Sequence, residues 1–300
     1  MLDGALSAAR SGAGRRAPSL RLRLLAIVLL LAAALLGLAG AAVWQAHEAS
    51  RGRAVTQMLG ITRVLAQLVD GEFARAEAVL QGVATDPRIA AGDVDAFLAA
   101  ARRVARALDG YALAMAEAPG RQLANSLTGR APPETPMPGG LDEVFRTGRT
   151  AISDLYPGSV TGRPNVAIAV PVLPAEGEAP RYAIGLTLNR DRLREALARQ
   201  HLPEGAVAAV LDRQRVVVAR TRREEAVVGR RATPPVIEGL AANEAGLFEG
   251  IVNQDGEVSV VAYARAPATG YAVAIAVPEA TFARERNAAL RRLAFGAAPV

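Results

Sequence analysis

Apolar residues recur every three or four positions from Met58 through Ile61, Leu65, Val69, Phe73, Ala76 and Leu80 to Val83. That spacing gathers them on one face and predicts an amphipathic helix of about seven turns. Asp86-Pro87 closes it, because proline lacks the N–H that continues a helical ladder and turns the residue before it towards extended backbone. A second helix is predicted near Val94 to Leu108. The apolar period then shortens to that of strands. "YALAMAEA" (Tyr111–Ala118) and "RQLANSL" (Arg121–Leu127) flank Pro119-Gly120 and read as a hairpin. After a loop, a short helix over about Leu141 to Arg146 is closed by Gly148. Strands are predicted at Ala151–Leu155, Asn165–Val172 and Arg181–Thr187, followed by a helix through Leu193–Arg199.

The last third repeats this plan in smaller form. Strands at Ala206–Leu211 and Val216–Arg220 surround a turn at Asp212–Gln214, and a helix near Pro235–Ala242 comes next. Three more strands and an exit helix follow, with Asp255-Gly256 at the tip of a hairpin. "IAVPVLPAEGEAPRYAIGLTLNRDRL" and "VVAYARAPATGYAVAIAVPEATF" share one order of strand, turn, strand and helix. The fold class is therefore α+β, with helices first and then two meandering antiparallel sheets.

A different pattern precedes all of this. Leu24 to Val43 is twenty residues without a charge, about 30 Å long as a helix, which matches a bilayer core. Trp44 stands where an interfacial ring is favoured. "LAGAA" offers small residues to a signal peptidase, but the apolar run exceeds the roughly 7–15 residues of a signal peptide, so it reads as an uncleaved anchor. Formal charge is +6, and Met1 to Arg23 holds five Arg against Asp3, so two thirds of the excess lies in this leading tail. The tail is expected in the cytoplasm and the chain after Trp44 outside the inner membrane. The remainder is nearly balanced with no basic stripe, which argues against a nucleic-acid partner. At the far end, only a few apolar residues follow Arg292, so a second span is expected to be missing from this sequence. A one-span protein and the front part of a longer one both remain open.

Candidate chemistry is thin. The absence of Cys removes thiol catalysis, disulfides and cysteine-ligated metals, and two His residues (His47 and His201) make no histidine-rich metal site. No Ser-His arrangement, phosphate loop or dinucleotide fingerprint is present, so no catalytic residue, metal or cofactor is expected.

Three stretches carry a resemblance: "VFRTGRTAISDLYPGSVTGRPNVAIAVPV", "AAVLDRQRVVVARTRREEAVVGRRA" and "ARAPATGYAVAIAVPEATF". In order and spacing they resemble the double Cache, PAS-like extracytoplasmic sensor region of bacterial transmembrane receptors, especially sensor histidine kinases. The resemblance covers roughly residues 45 to 286 together with the anchor. It implies a basic tail over 1–23, a membrane helix over 24–43, and a stalk helix with a membrane-distal Cache domain over 45–200. A membrane-proximal Cache domain over 201–286 and an exit segment over 287–300 complete the plan. It also implies a small-molecule ligand, a homodimer paired along the long helix, and an output domain, such as a kinase, in a C-terminal region beyond this sequence. The family's amino-acid-binding version carries an Arg followed by an aromatic pair before the sheet, and "ARRVARALDGYAL" has no such pair.

Candidate ligand-binding residues cluster around "SDLYPGSVTGRPN". Asp154 can accept from a ligand amine or cap a turn, and Tyr156 can stack on a ligand or cover the sheet edge. Arg163 can clamp a carboxylate or stand in solvent. Asn165 shares one strand face with the small Ala167 and Ala169, which leaves room for a ligand or for a packed helix. Tyr111, Met115, Arg181 and Tyr182 lie on flanking strands; Arg181 and Tyr182 point opposite ways, so at most one faces a pocket. Arg220 is the second-domain candidate, read beside Glu224 and Glu225 as a surface charge network. The alternative to a sensor is an anchored structural or adaptor protein that binds another envelope protein and no small molecule.

Overall fold

The computed structural model describes residues 20–107, 112–132, 135–158, 160, 162–172, 179–281 and 284. The chain divides into two compact units, 1–53 and 54–300. Helix α1 (Leu20–Ala84) has residues in both. In the first unit Leu24, Leu30, Leu38 and Trp44 stand open, between 57% and 73% exposed. Among the described residues no helix is long and apolar enough to cross a membrane. Several side chains of Leu24–Val43, the tail before Leu20 and the segment 285–300 lie outside those residues.

In the second unit the expected apolar face of α1 is buried. Met58, Leu65, Val69, Phe73, Ala76 and Leu80 are each no more than 3% exposed. Burying each of the larger ones contributes about 1.5–3 kcal/mol, enough to hold a helix whose other side is polar. After Ala84 the Asp86 carboxylate accepts from the Arg88 N–H at 2.9 Å and caps α2 (Pro87–Ala90). Asp93 then accepts from the Asp95 and Ala96 N–H groups at the start of α3 (Val94–Ala107). Carboxylates at these ends satisfy N–H groups that have no partner within the helix.

The first sheet contains β1 (Ala112–Glu117), β2 (Arg121–Asn125), β3 (Gly129–Arg130), then, after α4 (Glu143–Thr147), β4 (Ala151–Ile152), β5 (Tyr156–Pro157), β6 (Pro164–Val172) and β7 (Tyr182–Leu188). Its order is β3-β2-β1-β7-β6-β4, with β5 pairing separately on β6, and the pairs are antiparallel. Gly148 ends α4 in the left-handed region at φ 63°. Helix α5 (Arg190–Ala198) leads to the second sheet, built from β8 (Val207–Leu211), β9 (Val217–Arg220), β10 (Ala245–Val252), β11 (Val258–Arg265) and β12 (Ala272–Pro278), in the order β10-β11-β12-β8-β9. Helices α6 (Glu224–Val227) and α7 (Pro234–Ala242) lie between β9 and β10 in the chain.

One face of each sheet joins α1 in a single core, with Ile168 and Ile184 from the first and Val210, Val260 and Tyr271 from the second. Polar contacts fix the helix against both. Asp70 accepts from the Ala268 and Thr269 N–H groups and from the Thr269 hydroxyl. Glu77 accepts from the Thr150 hydroxyl of the first sheet domain.

Two expectations change in detail. The strand expected over Ala151–Leu155 is only Ala151–Ile152, because the backbone beyond turns its polar groups to the second sheet. The Ile152 carbonyl accepts from Arg213 at 2.6 Å, and the Leu155 N–H donates to Asp212 at 3.1 Å. The loop expected over Asp154–Arg163 contains β5, paired back on β6 through Tyr156 with Asn165 and Pro157 with Pro164.

Candidate functional site

The first sheet has two unlike faces. Leu113, Met115, Val166, Ile168, Tyr182 and Ile184 point into the helix core. Strand alternation sends Ala116, Ala167, Ala169 and Ala183 the other way, and Gly185 shares their side. This small-residue face is covered by Met137, Leu141 and Val144, with Phe145 and Tyr156 packed against them. The cover lies close: a Cβ on Gly139 (φ +66°) would stand 2.8 Å from Ser153 Cβ, and one on Gly185 would stand 3.7 Å from Met137 Cε. Polar groups are few. The Tyr156 hydroxyl and Thr187 Oγ1 are 3.4 Å apart, and Ser153 Oγ accepts from the Ala167 N–H at 2.8 Å. Gln122, 6% exposed, lies opposite Ala116, on the same face. Burial pushes the Tyr156 hydroxyl above its ordinary pKa, so it stays a neutral donor.

The candidates from sequence are distributed unequally around this face. Tyr156 is part of its cover and Asn165 is its register partner on β6. Met115 and Tyr182 are buried on the opposite, helix-packed face, where the Tyr182 ring fills the space beside Gly92. Arg181 is exposed at the edge, donates to Glu117 at 3.3 Å and stands 5.2 Å over the Tyr182 ring. Arg163 is exposed, and Tyr111 lies outside the described residues. Asp154 points to the second sheet domain: its carboxylate accepts from the Arg213 N–H and Nε and from Gln214 Nε2. Thr187 and Gln122 were not singled out beforehand, although strand parity alone puts Thr187 opposite to Tyr182.

Asp154 belongs to a junction between the two sheet domains. Asp212, 1% exposed, accepts from the N–H groups of Leu155, Gln214 and Val216. Burial raises its pKa above the ordinary carboxylate value. The Tyr271 hydroxyl donates to the Ser153 carbonyl at 2.8 Å, and its ring packs on Phe73 of α1 with centroids 5.0 Å apart. The segment that covers the small-residue face is therefore bonded to the second sheet and through Tyr271 touches the long helix.

The second sheet carries a cavity of about 50 Å³ between its outward face and the segment leading into α7. Arg220 lines it and is 3% exposed. This corrects the surface-network reading. Arg220 forms a fork with Asp255, Nη1 to Oδ1 at 3.1 Å and Nη2 to Oδ2 at 2.7 Å, while Glu224 pairs with Arg190 and Arg194. The hydrogen bonds from Arg220 hold the Asp255 carboxyl below its ordinary pKa.

Two antiparallel sheets packed along one long helix make a fold shared with solved extracellular and sensory domains. The extracellular domain of rpHK1S-Z16, a protein described as a histidine kinase, superposes with a TM-score of 0.59 at 16% identity, covering 76% of this chain and 95% of its own. The ligand-binding domain of the Pseudomonas fluorescens chemoreceptor CtaA, in complex with L-isoleucine, gives 0.60 at 13% identity, covering 79% and 98%. The sensory domain of the Campylobacter jejuni chemoreceptor Tlp3, with isoleucine bound, gives 0.61 at 11% identity, covering 79% and 97%. No protein-family model and no curated protein matches the chain.

Proposed function

We propose that this chain is the sensing region of a bacterial signal-transduction receptor, with a small molecule bound on the small-residue face of the first sheet. The observation that carries this reading is the cover of that face. Its segment Ile152 to Tyr156 stays on the first sheet through Tyr156 and the Ser153–Ala167 bonds, and gives the Ile152 and Ser153 carbonyls, the Asp154 carboxylate and the Leu155 N–H to Arg213, Gln214, Tyr271 and Asp212 of the second sheet. A ligand that lifts the cover must perturb those bonds, and Tyr271 rests on Phe73 of α1. Ligand binding then favours one of two packings of the long helix, which is how a binding free energy becomes a signal. The fold shared with ligand-binding domains of chemoreceptors, two of them described with isoleucine bound, supports a small ligand. In this reading Leu24–Val43 anchors the protein with its N-terminus in the cytoplasm, and α1 pairs two copies.

Two measurements test it. A thermal-shift screen of the full chain against amino acids and other small metabolites is expected to find a stabiliser whose effect disappears in Gly185→Leu, which fills the face. A stabiliser unaffected by Gly185→Leu places the site elsewhere. Reporters fused after Trp44 are expected to behave as exported, and a cytoplasmic result removes the anchored topology.

A further inference from the structure

The cavity of the second sheet domain is a separate place with its own chemistry. We propose that it binds a short-chain monocarboxylate, its carboxylate held by Arg220 and its alkyl tail among valines. The guanidinium has five N–H donors in a fixed plane. Nη1 spends both of its own, on Asp255 Oδ1 and on the Arg222 carbonyl at 2.8 Å, while Nη2 spends one on Asp255 Oδ2. Among the described residues, the Nε–H and the second Nη2–H have no partner. These two lie side by side on the remaining edge of the guanidinium, spaced to meet both oxygens of a carboxylate. The side chain is 3% exposed and lines the cavity, so a carboxylate entering there meets these donors in surroundings of low dielectric, where a hydrogen bond is stronger.

The surroundings favour an anion despite Asp255. Arg223 Nη1 stands 3.7 Å from Asp255 Oδ1, and Arg222 acts on the same carboxylate, so three guanidinium groups face one negative charge. Val207, Val217, Val236 and Val261 surround a floor that includes Ala274 and Ala276, while Thr233, Asn253 and Gln254 supply the other polar lining. Size sets the chain length. A water-sized group takes about 10–15 Å³ of such space. A cavity of about 50 Å³ thus accommodates roughly three to five non-hydrogen atoms, the size of acetate or propionate. This site goes beyond the ligand proposed for the first sheet and stands independently of it.

The test is a calorimetric and thermal-shift titration of the full chain with sodium acetate, propionate and hexanoate at constant ionic strength, with propionamide as the neutral match for propionate. Saturable binding of acetate or propionate is expected, with hexanoate and propionamide inactive. Arg220→Lys keeps a cation beside Asp255 but loses the side-on fork, and is expected to weaken binding at least about tenfold. Ala276→Leu is expected to abolish binding by filling the cavity from a half-open wall position. Gly185→Leu, on the first sheet, is expected to leave it unchanged. Should Arg220→Lys fail to fold by circular dichroism, Ala276→Leu decides. The proposal is overturned by absence of saturable carboxylate binding, by equal binding of propionamide, or by binding that survives Ala276→Leu. Loss in Gly185→Leu alone assigns the carboxylate to the first sheet and equally overturns the second site.

Discussion

Replacing Asp255 with Asn is expected to cost about 3–5 kcal/mol of folding stability at neutral pH, because it leaves the Arg220 guanidinium buried without its counter-charge. The two side chains are 3% and 9% exposed, so water replaces little of what is lost. The pH dependence has a definite sign. Hydrogen bonds from Arg220 hold the Asp255 carboxyl below its ordinary 3.8, so the unfolded chain takes up this proton at a higher pH than the folded one. The stabilisation is therefore complete above 3.8 and is lost as pH falls through the folded value. Urea denaturation of wild type and Asp255→Asn should show a gap that is wide at neutral pH and closes in acid below 3.8. A gap that stays constant into acid would assign the loss to packing and not to charge.

Phe73→Ala is expected to destabilise by a similar amount, about 3–5 kcal/mol, through loss of buried surface and the cavity left behind. Phe73 is 1% exposed and sits where α1 meets Tyr271, the residue whose hydroxyl holds the Ser153 carbonyl. The ring contact adds about 0.5–1.5 kcal/mol beyond area alone. Val64 on the same helix is 51% exposed, and Val64→Ala is expected to change stability by no more than about 0.5 kcal/mol. Equal effects of the two substitutions in chemical denaturation would show that α1 does not pack on the two sheets by the face described. Cleavage by the broad-specificity proteinase K between Ile152 and Arg163 should also accelerate in Phe73→Ala if Tyr271 transmits the loss to the cover.

Much of the fold was legible because its causes are local. The three-and-four spacing from Met58 to Val83 singled out the side chains that α1 buries. Alternation along Asn165–Val172 separated Val166, Ile168 and Val170 from the small Ala167 and Ala169, and those two sets occupy opposite faces of β6. The candidate site was less legible. Asp154 and Tyr156 are two residues apart, yet one carboxylate is taken up by Arg213, fifty-nine positions along the chain, while the ring covers the sheet beside it. Strand parity ranked Met115 and Tyr182 as possible lining but could not say which face meets the helices.

The sequence by itself determined most of the elements, their order and the α+β class with antiparallel sheets, since helix and strand periods, proline stops and turn residues act within a few positions of one another. The tertiary structure alone decided which side of the first sheet is covered by Met137 and Tyr156, that Asp154 serves the junction, and that Arg220 turns from the surface to Asp255. The reason is physical. A buried charge or hydroxyl takes the partner that desolvation forces on it, and that partner is brought near only when distant segments pack.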